Sequence, residues 1–254
     1  MIFTSGNPAL GRVQRMNSEA EATNTASYAG IAGKSIYFIA LTFFTAVISF
    51  VASVSLIEQG NFGLITGLLI GGSILALICG FAAIFNPNAT KIAGSIYALA
   101  QGFVMGFTAL MFWAAGFSGE VFAALFATVG VFAVMMTLYA TGIIRVGSGF
   151  RKFMLSALIA AVLVNLLMFV ISLFSAELRN LFYGNGLFSI GISIVMVVLA
   201  SLMILLDLNR MTTIVQGGLD KRYEWIAAFG LLITLVWLYM EFLRLFAKLS
   251  SRRR

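Results

Sequence analysis

Two carboxylates in this chain sit inside runs of residues that otherwise avoid water. The nine acids are Glu19, Glu21, Glu58, Glu120, Glu177, Asp207, Asp220, Glu224 and Glu241. Seven of them fall in polar stretches or at the edges of apolar runs, where water solvates them. Asp207 and Glu241 do not, and a charged side chain at the centre of a membrane helix costs about 2.5–3.5 kcal/mol on insertion scales. Their surroundings echo one another, DLNR at 207–210 and EFLR at 241–244. Each acid has an arginine three residues on (Arg210, Arg244), close on the same helix face. The spacing supports two chemistries. Each acid can be neutralised by its own arginine as a structural pair. Alternatively, the two carboxylates meet on facing helices, where a desolvated pair resists holding two negative charges and shares a proton. Loss of that proton then pushes the two helices apart.

Depth constrains the second chemistry. RMTTIVQ at 210–216 can continue the helix of Asp207 as far as Gly217 and Gly218. Asp207 then lies about 15 Å from that helix end, and Glu241 about 24 Å beyond Trp225. Tilt, or a later helix start near Phe229 and Gly230, has to absorb the difference of about 9 Å.

Other polar residues in apolar runs are weaker candidates. Tyr97 and Gln101 are one turn apart, and Asn165 sits in the middle of its run. Interhelical hydrogen bonding is the simpler reading for each; Gln101, beside Gly102, is the best placed to line a cavity. The chain has no histidine and one cysteine, Cys79. That removes Ser-His-Asp and Cys-His catalysis, zinc sites built on histidine and any disulfide framework. An aspartyl protease needs two aspartates, and Asp220, the only other one, sits in a loop beside Lys221. We expect no enzyme and no cofactor, and the residues assign no metal ligands.

The elements that must position these acids are written in the composition. The 254 residues are 61% hydrophobic and 10% charged, against about 45–50% and about 25% in soluble domains. Seven apolar blocks, 35–56, 62–85, 92–113, 121–144, 153–175, 187–208 and 225–247, are each long enough to cross a bilayer. Backbone amides in lipid must be satisfied within the segment, so the blocks predict helices. Short connections such as NPNATK (86–91) and QGGLDKR (216–222) predict antiparallel neighbours in one all-α bundle. The expected organisation is a mobile polar tail over 1–34, a seven-helix transmembrane domain over 35–249 and a basic tail over 250–254. Gly67/Gly71 and Gly102/Gly106 are GxxxG pairs that predict close helix packing.

The net charge of +7 does not point to nucleic acid, because the basic residues sit between apolar blocks. They read as topology signals. Arg12, Arg15, Lys34, Lys91, Arg145, Arg151, Lys152, Arg210, Lys221 and Arg222 fall on one side of a seven-span chain, and only Arg179 falls in the loops of the other. The N-terminus is therefore expected in the cytoplasm. SSRRR at 250–254 opposes this: either the last block stops short of crossing, or the earlier loops set the orientation.

YEWIAAFGLLITLVWLYMEFLRLFAKL at 223–249, LMILLDLNRM at 202–211, SGNPAL near the start and seven blocks in this length together resemble the transmembrane Bax inhibitor motif (Bax inhibitor-one) family in its bacterial branch. The resemblance covers nearly the whole chain past residue 34. It implies a seven-helix bundle with the last helix central, in the cell (inner) membrane. It also implies a pH-sensitive calcium leak, gated by a proton-sharing acid pair that maps onto Asp207 and Glu241. Eukaryotic relatives are linked to suppression of cell death, and some bacterial ones to modulation of a membrane protease. Three positions depart from the family pattern. Glu241 is one methylene longer than the aspartate of channel-type members. Gln101 stands where many members carry an acid in helix three. An arginine near the end of helix two is missing, leaving Lys91 as the nearest cation and Arg210 or Arg244 as substitutes. The expected partners are calcium ions, protons and the lipid bilayer. The alternative function is a non-conducting regulator that binds a membrane protease or another membrane complex.

Overall fold

A computed structural model describes residues 24–253. They form eight helices: α1 (Tyr28–Glu58), α2 (Phe62–Phe85), α3 (Thr90–Ala114), α4 (Ser118–Ala140), α5 (Ser148–Phe174), α6 (Ala176–Tyr183), α7 (Leu187–Gln216) and α8 (Tyr223–Arg253). Seven of these are long and apolar enough to cross a membrane. The described residues contain no strand beyond an isolated bridge between Thr25 and Asp220. The architecture is the all-α membrane bundle that the apolar blocks predict.

The boundaries differ from hydropathy in several places, two of them because a serine caps a helix. α1 begins at Tyr28, inside the expected tail, because the Ser27 side chain accepts from the Gly30 amide and caps the helix. α6 occupies part of the connection read as a loop; Ser175 caps it by accepting from the Leu178 amide at 3.3 Å. α8 runs through Arg253, so residues 250–253 of the expected basic tail are helical. α7 continues past Asp207 to Gln216, as RMTTIVQ predicts, and Gly218 at φ +61° turns the chain out of it. Residues 1–23 of the expected tail, with Arg12 and Arg15, and the terminal Arg254 lie outside the described residues.

α8 packs against α1, α2, α3, α4 and α7, and its Ala228, Phe229, Leu232, Leu238 and Leu243 are buried. Among the described residues the ring around it is incomplete, because α5 packs only on α6 and α7. α5 has long apolar side chains at the surface along its length, including Phe153, Leu163, Leu167 and Phe174.

Both ends of α8 are tied down, at opposite ends of the bundle. Near its start, residues 24–26 pair with residues 219–221: the Ala26 amide donates to the Leu219 carbonyl and the Lys221 amide to the Asn24 carbonyl, each at 2.8 Å. Arg222 donates to Asn88 in the α2–α3 connection at 3.4 Å. Near its finish, Ser250 donates to Glu120, in the first turn of α4. A 31-residue helix is about 46 Å long, longer than the hydrocarbon core of about 30 Å. The last block is therefore long enough to cross fully, and the arginines at its end lie at the opposite end of the bundle from the start of α1.

The two GxxxG pairs behave differently. A Cβ at Gly102 would lie 2.5 Å from the Thr42 carbonyl oxygen, and one at Gly106 would run into the Ala46 carbonyl. These glycines let α1 and α3 touch backbone to backbone. Gly67 and Gly71 meet nothing within 4 Å, so that pair is not a packing site among the described residues. Gly106→Ala is accordingly expected to destabilise the protein by about 1–3 kcal/mol through overpacking. Gly71→Ala should be neutral, or stabilising by up to about 1 kcal/mol from helix propensity. Thermal unfolding of the two variants in detergent measures the contrast, and equal shifts would contradict the close crossing.

Candidate functional site

The acids lie along the antiparallel seam between α7 and α8. Two contacts set its register. Asp207 faces Thr234, and Ser193 faces Lys248. Fourteen residues separate these contacts on each helix, so the helices stay in step for about 21 Å. Midway, Glu241 falls at the level of Ala200, a small and fully buried side chain.

Asp207 is 7% exposed. Its Oδ2 accepts from the Thr234 hydroxyl at 2.6 Å, and that hydroxyl is also 3.3 Å from the Gly230 carbonyl of its own helix. Gly230 leaves room here, since a Cβ there would sit 3.4 Å from Asp207 Oδ1 and 3.6 Å from Arg210 Nη1. Arg210 is exposed and forms no ion pair within 4 Å of Asp207 among the described residues.

Glu241 is 4% exposed and is held within its own helix. Its Oε1 accepts from Trp237 Nε1, one turn back, and from Arg244 Nη1, both at 3.1 Å. Local neutralisation by the arginine three residues on thus describes Glu241 and not Asp207. The structure does not bring the two acids together. Asp207 contacts Thr234, seven residues from Glu241, which is about 10 Å along the helix axis. The depth difference read from the sequence persists because the register follows the packing of both helices along their length.

The remaining candidates lie elsewhere. Lys91 sits at the start of α3, its ammonium 5.6 Å from the centroid of the Trp225 ring, and does not partner either acid. Tyr97 packs edge-on against Phe229 at 5.1 Å. Asn165 donates back to the Ala161 carbonyl at 2.8 Å and lies 3.9 Å from Met196 Sδ. A cleft of about 550 Å³ opens beside α8, lined from α1, α3, α4 and α8 by residues that include Phe43, Phe50, Trp113, Phe122, Leu235 and Tyr239. Gln101, Tyr97 and Asn165 are not part of its wall. Among the described residues, no three acidic or cysteine side chains come together as a metal site.

Sequence reasoning passed over three residues. Glu224, read as a solvated block edge, is fully buried. It pairs with the Lys34 ammonium and accepts from the Ser27 amide at 2.8 Å and the Ser27 hydroxyl at 3.3 Å. Gly30 makes this possible, because a Cβ there would collide with the carboxylate. A lone lysine just before the first block and a lone glutamate just before the last were the available signal. Thr234 and Lys248 lie seven residues either side of Glu241, on the same helix face, and that spacing was legible too.

A family model described as Bax inhibitor 1 like matches residues 7–251. No curated protein matches the chain.

Removing one partner of a buried ion pair leaves a charge uncompensated, which costs about 3–5 kcal/mol. Lys34→Met is expected to lower stability on that scale. Adding Glu224→Gln to it should restore most of the loss. Thermal unfolding of the single and double variants measures both steps, and a double variant no more stable than Lys34→Met would show that the pair does not act as a unit.

Proposed function

The chain belongs to the Bax inhibitor 1 like family, and on that premise we propose that it is a pH-sensitive calcium (cation) leak whose titrating group is Asp207. One observation carries this reading: a carboxylate at membrane depth, buried between two helices, hydrogen-bonded by a single hydroxyl and with no cation in ion-pair contact among the described residues. Ionisable groups placed this way mark ion and proton pathways.

The Thr234 hydroxyl has one proton and two acceptors in reach, Asp207 and the Gly230 carbonyl. When Asp207 is ionised, the hydroxyl donates to it. When Asp207 is protonated, it donates to Thr234 Oγ1, and the hydroxyl turns to Gly230. In this reading the proton is exchanged against Thr234 rather than shared with Glu241, whose charge Arg244 already offsets. Ionised Asp207 draws cations and water into the α7–α8 seam, so flux rises with pH. Glu241 is the second carboxylate along the same line. We place the protein in the bacterial inner membrane with its N-terminus in the cytoplasm, on the strength of the basic residues at that end.

A second reading, a non-conducting regulator of a membrane protease or other membrane complex, draws support from α5. That helix packs only on α6 and α7 and leaves apolar side chains free for a partner helix.

Calcium flux in proteoliposomes across pH tests the leak. Wild type should carry flux that rises with pH, and Asp207→Asn should flatten the curve. Thr234→Val removes a donor to a charged group, worth about 1.5–3 kcal/mol, and so should shift the midpoint by about one to two pH units. Glu241→Gln should lower flux while keeping the pH dependence. Unchanged pH-dependent flux in Asp207→Asn would sink the assignment, and absence of flux from the wild type at any pH would favour the regulator.

A further inference from the structure

The outer end of the acid-bearing seam is closed by a cation of the protein's own. Lys248 donates to the Ser193 hydroxyl at 2.9 Å and to the Ser189 carbonyl at 3.3 Å. Both serines are buried. The Ser189 hydroxyl is already committed to the Phe182 carbonyl at 2.7 Å, which ties the end of α6 to the start of α7 at this point. What remains for Lys248 is a carbonyl oxygen and a hydroxyl oxygen inside the bundle, the donor types that replace water around a cation in a pore. No carboxylate lies within ion-pair distance of Lys248 among the described residues.

The order along the seam gives this contact its meaning. Asp207, Glu241 and Lys248 follow at seven-residue intervals of register, each about 10 Å further out. Arg244, one turn inward of Lys248, is occupied by Glu241. The ammonium of Lys248 therefore adds a positive charge with no ion-pair partner among the described residues, on the path that the leak reading gives to a cation leaving the acids.

We propose that Lys248 is a tethered cation that fills an oxygen site between Ser189 and Ser193 and limits cation passage along the α7–α8 seam. The inference rests on the leak reading of the same seam. Lys248 excludes a second cation both by occupancy and by like charge. When the lysine swings toward the interface, as long basic side chains near helix ends do, the two oxygens are released to the permeating ion.

The test is calcium flux in proteoliposomes with the full chain, at a fixed pH where wild-type flux is highest, with thermal unfolding as a check on folding. Lys248→Met, similar in length and without charge, is expected to raise flux about tenfold, equivalent to about 1.4 kcal/mol. Lys248→Arg should stay near wild type, because it keeps the charge. Ser193→Ala, which keeps the lysine and removes an anchor, should raise flux by a smaller factor and serves if Lys248→Met does not fold. Wild-type flux that neither Lys248→Met nor Ser193→Ala increases overturns the gate and leaves the leak standing. No flux from wild type or either variant overturns both.

Discussion

Burying a carboxylate in a medium that cannot solvate it is the constraint around which this bundle is arranged, and each of the three acids buried among the described residues lies on or against α8. Each is compensated differently. Glu224 has a lysine from another helix and two donors from Ser27. Glu241 has an arginine and an indole from its own helix. Asp207 has one threonine hydroxyl. Unpaired charge in low dielectric is unfavourable in proportion to what is missing. Asp207, with the least direct compensation, is therefore the titrating group of the leak we propose.

The ties at the two ends of α8 make that single weak point tolerable. Lys34–Glu224, together with the pairing of residues 24–26 and 219–221, joins the starts of α1 and α8. At the far end, Ser250 on Glu120 and Lys248 on α7 hold the finish of α8. Between them, the glycine crossing at Gly102 and Gly106 draws α1 and α3 together beside α8. Held at both ends, α8 keeps its register with α7, and that register keeps Thr234 on Asp207. A helix free to screw by one residue would carry Thr234 about 1.5 Å along the axis and about 100° around it.

The same register separates the acids. Asp207 and Glu241 look like a pair in the sequence because each lies in an apolar helix and each precedes an arginine by three residues. Pairing across helices depends on the relative axial shift of two helices, and single-chain spacing has no access to that quantity. Both arginines are exposed and both share a helix face with their acid, yet Arg244 reaches Glu241 while Asp207 meets Thr234 of the facing helix instead.

Seven spans, their helical state, the continuation of α7 beyond Asp207 and the two acids within membrane helices were all determined by the sequence alone. Each follows from local properties: run length against bilayer thickness, backbone hydrogen bonding without water, and the rarity of charge in lipid. Tertiary structure decided that Glu224 is buried, that Gly102 and Gly106 pack while Gly67 and Gly71 do not, and that Lys91 lies over Trp225 rather than beside an acid. It also decided which partner each carboxylate meets. These are facts about neighbours distant in the chain, and hydropathy reports only how a residue fares in its surroundings, never which helix supplies them.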